Sequence, residues 1–351
     1  MVKVAGDHAR LPPQTARMGT MNLNEVPPEV QFAIDVAERA GILAQSIQKR
    51  LTEPALSKKD RSPVTVADFA IQGLVGWLLQ QQQPGEDALV AEEDSRLLQC
   101  EEGETTLEQV TEFLSEAGLP ADPESVCQWI DRGSSTPRGR YWTLDPIDGT
   151  KGFLRQEQYA TALAHIEAGQ VRIGVLACPN LPFPGNPSAR LGALFVAVRG
   201  HGSWARSLQG ARDFQSLRVS ALSDPVQARL VRSVEAGHTN TTLFEQVLHQ
   251  LGSRVEPVLM DSQAKYGLLA SGRGELMLRL ISSARRNYKE RIWDHAAGSL
   301  VVEEAGGKVT DLDGKDLDFS RGSTLARNRG IVASNGMLHE MALSVVRKLG
   351  G

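Results

Sequence analysis

Residues 141–155 read YWTLDPIDGTKGFLR, and they run an apolar strand straight into an acidic turn. Tyr141, Trp142 and Leu144 favour extended backbone, and Asp145 and Asp148 stand three apart where the strand gives out. Two carboxylates held that close repel, and one must take up a proton unless a cation lies between them. Pro146 stiffens the turn, Gly149 permits a backbone angle or close approach that other residues resist, and Thr150 brings a hydroxyl beside the carboxylates. A solvated turn needs none of this order, so the pair reads as part of a cation site.

The rest of the chain sets the frame for that site. Its 351 residues have room for two domains or one large α/β domain of two lobes. Hydrophobic residues make up 41% and charged residues 23%, the profile of a globular protein with a sizeable core. There is no run of about 18 apolar residues, so no membrane span is expected. Against 42 Asp and Glu stand 38 Lys and Arg, a balance that argues against a nucleic-acid polymer as partner. Cys100, Cys127 and Cys178 form no CxxC pair and no disulfide framework, which fits a reducing compartment or at most one regulatory disulfide. Residues 1–28 read as a disordered tail without the apolar core of a secretory signal. A cytoplasmic location is expected, with chloroplast or mitochondrion as the alternative if the tail is the remnant of a transit peptide.

From Pro28 the pattern is that of an amphipathic helix, with Val30, Ala33, Ile34, Ala37, Ile42 and Leu43 on its apolar stripe. An extended SPVT precedes a second helix, and Thr65 with Asp68 resembles a capping box in which Asp replaces Glu. ALVA is a short strand that ends at Glu92 and Glu93. Residues 96 to about 140 read as helices and loops of an insertion. YATALAHIEAGQVRIGVLACP and LGALFVAVRGHGSWARS read as two hairpins. A helix is expected around Leu243 to Leu251, and another opened by Asp294 and closed at Gly306-Gly307. The predicted organisation is a first lobe over 29–215 and a second over 216–351.

Taken singly, an Asp at a strand end or helix start is usually a cap or a solvated charge. Taken together, Asp68, Glu92, Asp145, Asp148 and Asp294 sit at strand C-termini and helix starts, where α/β proteins collect site residues. Carboxylates and carbonyls without His or Cys partners are hard oxygen ligands that suit Mg²⁺, completed by waters and substrate phosphate.

SPVTVAD (62–68), VAEEDS (90–95), LDPIDGTKGFLR (144–155), CPNLP (178–182), DSQAKY (261–266) and IWDHAAG (292–298) follow one another in an order that resembles the lithium-sensitive, magnesium-dependent phosphatases of the inositol monophosphatase family. The resemblance runs from about Glu29 to the C-terminus and points within the family to the 3′(2′),5′-bisphosphate nucleotidase branch, which acts on 3′-phosphoadenosine 5′-phosphate. It implies an α/β, layered αβαβα sandwich of two lobes, two or three Mg²⁺ per site and Li⁺ as an inhibitor. Position by position it implies metal ligands at Asp68, Glu92, Asp145, the carbonyl of Ile147, Asp148 and Asp294. Thr150 with Asp68 would position and activate the attacking water. Glu93 is the less secure of the two glutamates.

On the substrate side the resemblance places His238 near the base and Lys265 and Arg279 on the 5′-phosphate that is not cleaved, with Ser262, Thr150, Tyr288 and Asp294 also in contact. A bisphosphate needs a second cationic site besides the metals, and a lysine plus an arginine supply it. Tyr288 and Trp293 are open between packing and stacking on the substrate. Arg285, Arg286 and Lys289 cluster as a solvated loop or as a modifier of ligand preference. Gly272-x-Gly274 lacks the third glycine of a dinucleotide loop. His165 reads as a core histidine, His295 as a structural neighbour of the site, and Cys178 as a packed thiol. The expected function is hydrolysis of the 3′-phosphate to AMP and phosphate, with the sulfated nucleotide as a further substrate and a monomer, or else a dimer, as the working form. The alternatives are an inositol polyphosphate 1-phosphatase and a nucleotide-binding sensor that no longer catalyses.

Overall fold

The computed structural model describes residues 21, 25–50, 56–57, 63–82, 87–183, 191–210, 213–234, 240–281 and 288–350. Helix α1 (Pro28–Arg50) begins with Pro28, whose missing N–H is no loss at that position, and ends with Lys49 and Arg50 beside its carbonyl terminus. Its stripe is buried as expected except at Ile42, which is 40% exposed. Gly41 faces the sheet instead, so closely that a Cβ there would lie 2.8 Å from that of Ala177. A two-residue ladder, β1 (Leu56–Ser57) with β2 (Pro63–Val64), leads into α2 (Val66–Gln82).

The first sheet holds β3 (Ala88–Ala91), β4 (Arg140–Asp148), β5 (Ala160–Glu167), β6 (Gln170–Pro182), β7 (Leu191–Val198), β8 (Gly202–Ser207) and β9 (Gln215–Ser216), side by side in chain order. β3 and β4 are parallel and every later pair is antiparallel. A parallel pair needs a long crossover. The segment expected as an insertion is that crossover: α3 (Glu104–Glu116) and α4 (Pro123–Asp131) pack on α2 as they return the chain. Between β5 and β6 the chain reverses at Ala168 and Gly169, both at positive φ, which matches the right-handed twist of the flanking strands.

The short α5 (Thr150–Leu154) lies between β4 and β5, and the elements that follow β9 build a second sheet. α6 (Thr241–Leu251) joins β10 (Leu230–Arg232) to β11 (Val258–Leu259), and α7 (Ala264–Ala270) precedes β12 (Leu276–Arg279). Next come α8 (Ala296–Glu304), β13 (Lys308–Thr310), β14 (Ile331–Ser334) and α9 (His339–Lys348). The strand order is β11-β10-β12-β14-β13. α1 and α2 cover one face of the first sheet, α7 and α8 pack between the sheets, and α6 and α9 pack against each other beyond the second. The result is five layers, αβαβα, with separate apolar cores under α1 and α2, around α7 and α8, and beneath α6 and α9. The expected α/β sandwich is the observed one. No helix among the described residues is long and apolar enough to cross a membrane.

Two buried details of this frame are testable. Gly298 of α8 lies against the ring of Tyr266, where a Cβ would come within 2.2 Å of a ring carbon. Gly298→Ala must push the two middle helices apart and is expected to destabilise the protein by about 1–3 kcal/mol, read from urea unfolding. His339 is inaccessible, with Nε2 sharing a hydrogen bond with Thr310 Oγ1 and Nδ1 with Ser334 Oγ, each 2.9 Å. Burial, aided by Lys308, pushes its pKa down from 6.5 to about 4. The neutral ring therefore contributes stability that is present above 6.5 and is lost as the pH falls toward 4. Between pH 7 and pH 4.5 the wild type should lose on the order of 2 kcal/mol more unfolding free energy than His339→Gln.

Candidate active site

The acidic residues come together where α2, β3, β4 and the turn before α8 meet, and each is held by a local device. Thr65 caps α2. Its Oγ1 accepts from the N–H of Ala67 at 3.1 Å, while its own N–H and hydroxyl both donate to Asp68 Oδ2 at 2.7 Å. This is the reciprocal capping box, with Asp at the third helical position, and it fixes a side chain that is 1% exposed. One turn further along the same helix face lies Gln72, which is fully buried. Its Oε1 accepts from the N–H of Glu93 at 3.0 Å, and its Nε2 donates to the carbonyls of Glu93 at 2.5 Å and Ile130 at 2.8 Å. The amide thereby latches the Glu92–Glu93 corner, which follows β3, onto the helix that carries Asp68.

A β-bulge aims the next pair. On β4, Asp145 pairs with Ala162 but Asp148 pairs with Ala160, so one extra residue sits between them on the β4 side. Regular alternation would send residues three apart to opposite faces of the sheet; the bulge cancels that. Thr161 Oγ1 pins it by donating to the carbonyl of Pro146 at 2.9 Å. Beyond it Gly149 has φ +87°, and a Cβ there would lie 3.0 Å from Ser262 Cβ. Thr150 Oγ1 donates to the carbonyl of Ile147 at 3.2 Å. Asp294 does not open α8 as expected: it lies in the turn before it, two residues ahead of the first helical residue.

The electrostatics show that these groups act on one another. Burial first, and then the charges of Glu92, Asp148, Asp294 and Asp68, push the Asp145 carboxyl well above the usual range. Burial and Asp148 do the same to Asp294, against Arg279. Asp148 is raised by burial and held back by Lys265, by the N–H of Gln263, and by His295 and Arg279. Asp145 Oδ1 is buried with no hydrogen-bond partner among the described residues. A hard divalent cation fits this set: it would give that oxygen a partner and remove the repulsion that otherwise drives protons onto the cluster. Ligand atoms of Glu290, Asp294 and His295 also lie within 4.8 Å of one another.

The cationic side is built from α7 and the second sheet. Lys265, on α7, is half-buried, and burial lowers its pKa to about 8 against the pull of Asp148. Its Nζ lies 3.4 Å from Ser233 Oγ. Arg279, at the end of β12, donates from Nε to Glu290 Oε1 at 2.9 Å. Burial disfavours its charge, but Glu290 more than compensates and raises its pKa. Ser262 is buried beside Gly149 in a left-handed conformation, φ +68°. Tyr288 is exposed near Arg279, whereas Trp293 is buried, so the indole packs. His238 lies outside the described residues, as do Arg285 and Arg286. Lys289 of that basic cluster donates to the carbonyl of Asn328 at 3.0 Å.

His295 is a structural neighbour, with Nδ1 2.8 Å from Tyr266 Oη and Nε2 3.4 Å from Glu290 Oε2. His165 is a core residue, 3.1 Å from Asp87 and tilted against Trp142. Cys178 is buried and its thiol pushed up, so it is no nucleophile. Arg155, from the GFLR end of the opening motif, donates to Asp261 at 2.5 Å and ties the first sheet's loop to the turn before α7. Three residues of the site were not singled out in the sequence: Gln72, Gln263, which lies within DSQAKY, and Glu290. A lone glutamine in the apolar run of α2 was the available hint for the first.

Comparison with known proteins extends the picture. The model of the inositol monophosphatase family matches residues 27–350. A 3′(2′),5′-bisphosphate nucleotidase of Oryza sativa is 43% identical over 338 residues, 91% of this chain and 93% of that protein. One of Schizosaccharomyces pombe is 40% identical over 325 residues, 87% of this chain and 91% of that protein. Among solved structures, an IMPase of Thermotoga maritima superposes with a TM-score of 0.63 at 20% identity, covering 92% of this chain and 98% of that one. CysQ of Bacteroides thetaiotaomicron gives 0.56 at 18% identity over 88% and 97%. The matched fold and the near full-length relatives agree with the motif order, and the chain belongs to the inositol monophosphatase family.

Proposed function

We propose that this chain is a 3′(2′),5′-bisphosphate nucleotidase, a phosphoric monoester hydrolase that takes 3′-phosphoadenosine 5′-phosphate to AMP and phosphate and also accepts the sulfated nucleotide. The observation that carries the reading is the electrostatic union of Asp68, Glu92, Asp145, Asp148 and Asp294 around a buried, unpaired oxygen, with Lys265 and Arg279 beside it. The names of the relatives support the substrate class.

In this reading Asp68, Glu92, Asp145, the carbonyl of Ile147, Asp148 and Asp294 hold Mg²⁺. Bound there, Mg²⁺ neutralises phosphoryl charge and acidifies water. Six oxygen donors exceed what one ion that keeps several waters requires, which supports two or three ions per site. Li⁺ inhibition belongs to the same reading. The chain's own residues do the rest. Thr150 donates its hydroxyl hydrogen bond to the Ile147 carbonyl, which leaves its oxygen lone pairs to accept from a water. Asp68, locked by Thr65, takes that water's proton as the water oxygen bonds to phosphorus and the bond to the ribose 3′-oxygen breaks, and the departing 3′-oxygen takes up a proton from a solvent water to leave as the hydroxyl of AMP. Lys265 and Arg279 hold the 5′-phosphate, with Ser262, Tyr288 and His238 completing the nucleotide contacts. The reading also divides the chain into lobes at 29–215 and 216–351. Its support is that the first sheet closes at β9, which ends within one residue of that boundary, and all strands of the second come later.

Phosphate release measured side by side from 3′-phosphoadenosine 5′-phosphate and inositol 1,4-bisphosphate tests this. Release should be fast from the nucleotide, vanish with chelator and fall with Li⁺; release from the inositol compound alone overturns the substrate. Asp148→Asn should lower kcat by about 10³-fold or more with unchanged circular dichroism. Lys265→Ala should raise KM for the bisphosphate about 10-fold while leaving KM for adenosine 3′-monophosphate nearly unchanged.

A further inference from the structure

Gln263 spans the junction between the two sheets. Its main-chain N–H donates to Asp148 Oδ2 at 2.6 Å. Its side chain, 1% exposed, donates from Nε2 to the carbonyl of Trp293 at 2.8 Å and accepts at Oε1 from the N–H of Gly298 at 3.0 Å. From these contacts we infer that Gln263 is a positioning residue of the cation site: it fixes Asp148, which belongs to the first sheet, and the turn bearing Asp294, which precedes α8, at a constant separation. The inference rests on the cation reading above and adds to it the residue that sets the spacing.

The surrounding backbone shows that this arrangement is held from both ends. Ser262 adopts a left-handed conformation, a strained state for a residue with a side chain. It is wedged against Gly149, which tolerates the approach because it has no Cβ. Asp261, just before it, is anchored through Oδ2 to Arg155 at 2.5 Å and through Oδ1 to the N–H of Val234 at 3.1 Å. The strain is thus paired with the hydrogen bond that turns the next N–H onto Asp148. The side chain has its own task. α8 has no side-chain cap at its flanking residue His295, and Gly298 carries one of the N–H groups that a helix start leaves unpaired. Gln263 Oε1 supplies the cap from 35 residues away. A neutral amide alone offers a donor and an acceptor at this length; methionine would leave both partners unpaired in the interior, and glutamate would add a sixth charge to the cluster.

The test is equilibrium binding of Mn²⁺ to the full-length protein, followed by electron paramagnetic resonance of the free ion, for wild type, Gln263→Met, Gln263→Asn and Phe244→Leu. Phe244 lies in the core beneath α6 and α9 and reports what loss of stability alone does. Gln263→Met should weaken Mn²⁺ binding about 10-fold or more. Gln263→Asn, which keeps the amide but draws it back by one methylene, should weaken it about 3-fold, and it carries the test if the methionine variant does not fold. Phe244→Leu should bind as wild type does at a comparable drop in Tm. Wild-type affinity in both Gln263 variants, or an equal loss in Phe244→Leu, overturns the inference. A wild-type protein that binds no Mn²⁺ overturns the cation reading itself, a result distinct from either.

Discussion

Five carboxylates that repel one another have to be brought to one place before any cation arrives, and the local architecture can be read as the answer to that constraint. No single interaction opposes the repulsion. Asp68 is held by a helix cap, Glu92 by a latch on the following residue's backbone, and Asp145 and Asp148 by a bulge. Asp294 is carried by a turn whose carbonyl is tied to Gln263. The latch, the bulge and the tie to the Asp294 turn act through main-chain groups, whereas the helix cap uses Asp68 Oδ2 itself. Such preorganisation moves the free-energy cost of assembling like charges from the moment of binding into folding, where a large core offsets it.

The layered frame determines which layer contributes what. The first sheet delivers its carboxylates at the end of β4 and the corner after β3, while α7 carries Lys265 and the second sheet carries Arg279. The middle helices hold the two at a fixed distance because they pack closely at glycines. Gly174 on β6 sits under Ala297, and Gly298 under Tyr266, at contacts where a Cβ would clash. The alanines and glycine of IWDHAAG therefore serve packing as much as chemistry.

Much of the site was legible in the sequence because its signals are local. Asp145-Pro-Ile-Asp148-Gly-Thr shows the proline and glycine that a bulged, acidic turn needs, and Thr65 with Asp68 shows its cap at helical spacing. The hairpins were legible from alternation and from their glycine turns. What escaped was whatever depends on partners distant in the chain. Gln72 meets residues 21 and 58 positions away, and Gln263 meets residues 30 and 35 positions away. The local sequence shows a polar residue in an apolar run at Gln72 and a motif around Gln263, but not which distant groups they bond. Ile42 was misplaced for a related reason: periodicity reports a face, but the close approach of Gly41 to Ala177 rotates that face toward the glycine.

The capping box at Thr65 and Asp68 has a consequence for how this site can change over generations. Asp68 serves the fold and the reaction with the same carboxylate, since the group that would take a proton from water also closes the first turn of α2 through Oδ2. A lineage that gave up catalysis and kept only nucleotide binding would find most routes open through Thr150, whose hydroxyl makes one weak contact with its own turn. The route through Asp68 is narrower, because losing it frays the helix that also carries Gln72 and, through it, the Glu92 corner. Retention of an aspartate at this position is thus a poor marker of activity by itself, and Thr150 is the better one.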